Sequence, residues 1–202
     1  YSDAPGDATH FQQILGQALK KLLGVLVVVL LAVPAFAAPT SQGNFVVTLP
    51  LFQYITYNDD MYKAIYGDDE TNMIIGAENY QMGVEWFVID GLAIGGGISY
   101  NTWDESETEV FTIMPTLTYY YAMDKLIPYI GAGFKYIDIS DDPVFGDGDG
   151  YSIFGKLGLA YMLGNNLALF GEVQYSYDTL DVDAGDEDGY MLSGSLGVKA
   201  FF

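Results

Sequence analysis

Five charged residues stand inside otherwise uncharged, alternating segments: Glu85, Lys135, Lys156, Glu172 and Lys199. Carboxylates and ammonium groups together can form ion pairs, pass protons or line an ion path. In a narrow, apolar surrounding an isolated charge is costly, so these five are expected to pair. The remaining chemical inventory is thin. The chain has no cysteine and no arginine, and its single histidine, His10, lies near the start. Without cysteine there is neither a disulfide framework nor a Cys-based zinc site. Imidazole is the usual metal ligand and acid–base group near neutral pH, so its absence after residue 10 argues against catalysis.

The formal net charge is −20 over 202 residues. A chain this acidic repels nucleic acid, whose binding rests on Lys and Arg neutralising phosphates. Two acidic runs, Gly146-Asp147-Gly148-Asp149-Gly150 and Asp181 to Asp188, supply oxygen ligands of the kind calcium takes. Neither has the spacing of a calcium-binding loop of the EF-hand type, so both read as solvated loops. No metal and no cofactor is expected. Yet 24 glycines and 17 tyrosines are not the composition of an acidic disordered chain; they indicate glycine- and aromatic-rich β structure.

The elements that position these residues follow from periodicity. Lys20 and Lys21 precede an apolar run, Leu22 to Val33, then Pro34 and Ala35-Phe36-Ala37. A basic region, a short apolar region and an A-x-A site mark a signal peptide. Residues 1–37 therefore read as an N-terminal extension and signal peptide with cleavage after Ala37, and 38–202 as one domain. From Gly43 onward the period is two. Eight strands are expected, at 43–57, 73–88, 91–103, 109–122, 126–139, 150–163, 166–180 and 189–202. The turns at 89–91, 123–125 and 164–166 are tight, whereas 58–72, 104–108, 140–149 and 181–188 read as longer acidic loops. Twenty of the 27 acidic residues fall in or beside those four loops. Tight turns at one end and long loops at the other are the layout of an all-β, eight-stranded, antiparallel up-and-down transmembrane barrel of a Gram-negative outer membrane.

The faces support this reading. On 150–163, Tyr151, Ile153, Leu157, Leu159 and Tyr161 alternate with Ser152, Phe154, Lys156, Gly158 and Ala160. A surface meeting water would carry many more charges than the polar faces hold. Small residues suit the interior of an eight-stranded barrel, which side chains can fill. Trp86, Tyr100, Tyr119, Tyr121, Tyr151, Tyr161, Tyr177, Tyr190 and Phe202 sit near strand ends on the apolar face, as interfacial girdles do. Glu78 breaks the pattern, because it falls on the apolar face of the second strand. Either that strand leaves the membrane near Tyr80 or a bulge shifts its register.

The last segment ends on Phe202, with Val198, Leu196 and Leu192 alternating before it. This resembles the terminal-strand signal read by the outer-membrane assembly machinery. With the leader, the eight strands and the acidic loops, the chain resembles the small eight-stranded outer-membrane β-barrel superfamily, which includes the transmembrane domain of outer-membrane protein A and its short relatives. The resemblance covers about 38–202 and rests on architecture. It implies insertion by the assembly machinery and long loops outside the cell; contact with outer-membrane lipid and lipopolysaccharide and a monomer are also expected, and, because the sequence stops at the eighth strand, no periplasmic domain is expected to follow. Lipid-modifying enzymes of this class use histidine, so no enzyme is expected. The functional expectation is an envelope-integrity or surface-interaction role through acidic extracellular loops. The alternative is a narrow porin-like channel for small solutes or ions.

Overall fold

In the computed structural model the described residues are 38–57, 71–75, 79–103, 108–142, 146–182 and 185–202. They form β1 (Phe45–Tyr57), β2 (Thr71–Ile75), β3 (Asn79–Ile89), β4 (Leu92–Trp103), β5 (Thr108–Tyr120), β6 (Leu126–Asp142), β7 (Gly146–Met162), β8 (Leu167–Val182) and β9 (Gly185–Phe201). From β3 to β9 each strand pairs antiparallel with the next, and β1 pairs with β9, which closes the sheet. β2 and β3 both pair with β1 and together make one stave, so the barrel has eight. Closure matters in lipid, where every backbone N–H and C=O needs a partner and an open sheet edge would leave them bare.

The predicted second strand is thus two pieces. From Thr48 to Phe52 β1 advances four residues, while its partner stave advances eight, from Gly83 to Ile75. Glu78, the misfit of the alternation, lies outside the described residues. Three tight turns join staves at one end. Gly91 has a φ of +78°, and a Cβ there would meet the Tyr120 carbonyl oxygen at 2.8 Å, so the Asp90-Gly91 turn needs glycine on both counts. Ala38–Asn44 is bonded to this end: Gly91 N donates to Thr40 O, and Gly43 N to Phe87 O, each at 2.8 Å.

At the other end the structure corrects the loops. The expected loops 140–149 and 181–188 are mostly ladder, since β6 and β7 stay paired up to Asp142 and Gly146, and β8 and β9 up to Val182 and Gly185. Gly and Asp are poor strand formers and read as loop. Here two already paired strands simply continue, and each added pair satisfies further backbone groups.

The outward face is apolar. Ile153, Leu157 and Leu159 on β7, Leu169 and Val173 on β8, and Leu192 and Leu196 on β9 are all exposed. Aromatics bound this band. Trp86, Tyr119, Tyr121 and Tyr161 face outward near the tight turns, and Tyr100, Tyr136, Tyr151 and Tyr190 near the loops. Tyr151 and Tyr161 are ten residues apart on β7. At about 3.3 Å per residue and a tilt near 40° their separation across the membrane is about 25 Å, the height of a barrel's apolar band. Among the described residues no helix is long and apolar enough to cross a membrane.

Candidate functional site

The inward face holds the chemistry, and it is layered. Beside the tight turns lies an apolar plug. Val46, Phe87, Tyr120, Ile127, Phe170 and Phe201 are buried there, with Tyr120 packed on Phe87 at 5.3 Å and on Tyr129 at 5.0 Å between ring centroids. The sequence reading expected mainly small residues inside. Instead glycines make room for rings: a Cβ on Gly158 would meet the Tyr129 ring at 2.2 Å, and one on Gly133 the Phe154 ring at 2.4 Å.

Above the plug, Glu85 is the hub. Its Oε1 accepts from Thr116 Oγ1 at 2.9 Å, from Thr118 Oγ1, and from Lys156 Nζ at 3.3 Å; its Oε2 accepts from the Tyr120 hydroxyl. A carboxylate with donors on both oxygens is compensated as a buried charge must be. Lys156 also reaches Glu172 Oε2, at 4.0 Å. Lys156 and Glu172 flank the tight turn between β7 and β8 but are not directly opposite one another. The register pairs Lys156 with Gln174 and Glu172 with Gly158, and the nearer carboxylate of Lys156 is Glu85, from the far side of the barrel.

Lys199 is fully buried and joins this group indirectly. Its ammonium donates to Thr48 Oγ1 at 2.8 Å and to the Tyr120 hydroxyl at 3.4 Å, which itself bonds Glu85. The rings of Tyr129, Phe170 and Tyr120 surround it at 4.6, 4.9 and 5.6 Å. Cation–π attraction of this kind offsets part of its lost hydration. Lys135 stands apart, nearer the loops. It lies 3.9 Å from Asp178 Oδ1 and donates to Ser176 Oγ at 3.3 Å, while Ser176 donates to Asp178 Oδ2 at 2.9 Å. Asp178, on the polar face of the expected strand 166–180 and beside the expected loop 181–188, is buried completely. Its even spacing with Glu172, Gln174 and Ser176 was the available signal. Among the described residues three lysines and three carboxylates thus share the interior, and their formal charges cancel. Val110, Ile139 and Leu180 are buried beyond Lys135, toward the loop end.

Between these groups lies a cavity of about 50 Å³, lined by Thr48, Pro50, Gln81, Glu85, Lys156 and Glu172 among others. That is room for roughly one or two waters. Among the described residues no cluster of carboxylates and imidazoles is placed to hold a metal ion. The expected assembly-signal residues lie on and just beyond β9: Leu196 faces outward, Val198 pairs with Leu49 and Leu169, and Phe202 stacks on Phe45 at 4.8 Å.

Two of the solved structures that share this fold are compared with the chain. Neisserial surface protein A is 14% identical, with 79% of this chain and 97% of that one covered and a TM-score of 0.58. The N-terminal β-barrel domain of OprF from Pseudomonas aeruginosa is 17% identical, with 80% and 98% covered and a TM-score of 0.52. At such identities the likeness is one of fold. No curated protein matches the chain. The family described as outer membrane protein beta-barrel domain matches residues 23–199. That span takes in the barrel up to Lys199, its two aromatic girdles and the six interior charges of the described residues, and the chain belongs to that family.

Proposed function

We propose that this protein is a closed, non-conducting outer-membrane barrel with a structural or surface-interaction role, presenting its acidic end outside the cell. One observation carries the reading. Among the described residues the interior is packed in layers, by an apolar plug, a neutral ion-pair layer around Glu85 with a cavity of about 50 Å³ beside it, and a second buried cluster at Lys135 and Asp178. An eight-stranded barrel is just wide enough for side chains to fill it, and here they do. The interior charges hold the staves together across the barrel. The partners in this reading are outer-membrane lipid and lipopolysaccharide at the girdles, the assembly machinery during insertion, and no second copy. Processing after Ala37 belongs to the same proposal.

The cavity beside Glu85 is the observation that favours the other reading, a narrow channel. Planar-bilayer recording and liposome swelling with purified monomer separate the two. The expected result is no steady conductance and no solute uptake above empty vesicles. Reproducible unitary channels from the monomer would replace the structural reading with the porin-like one.

A further inference from the structure

The barrel wall has a break between β1 and its second neighbour. β1 pairs with β3 from Phe45 to Thr48 and with β2 from Phe52 to Thr56. Among the described residues no pairing joins Leu49, Pro50 or Leu51 to that stave. Yet all three belong to β1, and Leu49 and Pro50 pair with Val198 and Gly197 of β9.

Hydrogen-bond alternation accounts for the break. Phe45 exchanges both backbone bonds with Phe202, at 2.9 and 2.8 Å. Backbone groups alternate in direction along a strand, so those of Val46, Thr48 and Pro50 turn toward β3. Val46 and Thr48 find Glu85 and Gly83 there. Gln81 is next in that register, and Pro50 has no N–H to give the Gln81 carbonyl, although the Pro50 carbonyl can still accept from Gln81 N–H. Immediately afterwards the register with β9 slips between Pro50 and Phe52, and Leu51 is the extra residue.

This break lies at mid-membrane. Trp86 belongs to the tight-turn girdle, and Gln81 is five residues further along β3. That is about 16 Å of strand and about 12 Å of height once tilted, half of the apolar band of about 25 Å. Leu51, Phe52 and Met82 around it are exposed on the outer face. Backbone polar groups at this depth are tolerated only where protein covers them or a wet cavity reaches them. Such a cavity is present: both Pro50 and Gln81 line the space of about 50 Å³ beside Glu85.

We infer that Pro50 creates a water-binding site in the barrel wall, where water held in this cavity bonds the backbone carbonyl of Gln81 at mid-membrane depth. The site is sized for water and not for a solute, so it is compatible with a barrel closed along its axis.

NMR of the full domain in lipid nanodiscs tests this, through the scalar couplings that pass across backbone hydrogen bonds and through cross-peaks to water. The Gly83 carbonyl is expected to show a coupling to the Thr48 nitrogen, whereas the Gln81 carbonyl shows none to any backbone nitrogen and Gln81 shows a cross-peak to water. Pro50→Val restores the missing donor and is expected to give the Gln81 carbonyl a coupling to the nitrogen of residue 50. If that variant fails to fold, seen as lost heat-modifiable mobility on SDS gels, the comparison within the unaltered protein still decides. A coupling from the Gln81 carbonyl to any backbone nitrogen of the unaltered protein would overturn the inference. So would relaxation of Gln81 by dissolved oxygen with none from a water-soluble nickel chelate, which would put lipid and not water at the break.

Discussion

At the scale of single residues, Glu85 is the group on which the interior depends. It takes donors from Thr116, Thr118 and Tyr120 on β5 and from Lys156 on β7, and through Tyr120 it also answers Lys199. Glu172 has a more modest position: its contact with Lys156 is at 4.0 Å, and its side chain is more exposed than that of Glu85. Two isosteric changes separate these roles. Glu85→Gln leaves two buried ammonium groups short of an anion and is expected to destabilise by about 3 kcal/mol, the lower end for breaking a buried pair. Glu172→Gln is expected to cost a fraction of that, because Lys156 keeps Glu85. Urea unfolding of the barrel in phospholipid vesicles, followed by tryptophan fluorescence, measures both. Equal losses, or a greater loss for Glu172→Gln, would show that the hub has been assigned to the wrong carboxylate.

At the scale of strands, the like charges of the loop end are arranged in rows. Asp138 of β6 is opposite Asp149 of β7, which is opposite Asp181 of β8, itself in register with Asp186 of β9. Like charges directly opposite one another destabilise a ladder, and salt screens exposed ones. Asp149 has a carboxylate neighbour on either side, and Asp138, Asp149 and Asp181 are all exposed. Asp149→Asn is therefore expected to raise the urea midpoint in vesicles at low salt, by an amount that shrinks as sodium chloride is added. A gain unchanged by salt would mean that propensity, not repulsion, is at work. These rows also mark where sequence reading stops. Alternation along β3, β6, β7, β8 and β9 was enough to assign faces, and hence to turn Glu85, Lys135, Lys156, Glu172 and Lys199 inward. It could not say that Gly146–Gly150 is ladder, because the local composition argues for loop and only pairing with β6 and β8 overrides it. Nor could it match partners across the interior. Lys156 meets Glu85 because closure brings β3 and β7 face to face, 71 residues apart in sequence, whereas periodicity reports only direction.

At the scale of the whole molecule, the barrel has two unlike ends, and this fixes how it must sit. Beyond the tyrosines at one end are the carboxylates of Asp138, Asp149 and Asp181; at the other are short turns, where Lys125 and Asp124 stand side by side. Moving the acidic rows across the bilayer during insertion would expose many charges to hydrocarbon, so once seated the barrel cannot invert. Outer-membrane barrels place short turns in the periplasm and the longer connections outside. Because the chain contains no cysteine, single cysteines report sidedness without background. On intact cells producing the protein, Asp149→Cys is expected to react with a membrane-impermeant maleimide. Asn165→Cys, in the turn between β7 and β8, is expected to react only after the outer membrane is permeabilised. N-terminal sequencing of the same outer-membrane fraction should begin at Ala38. Labelling of Asn165→Cys on intact cells would reverse the orientation. A mature chain beginning before Lys20 would remove the signal-peptide reading while leaving the barrel as it stands.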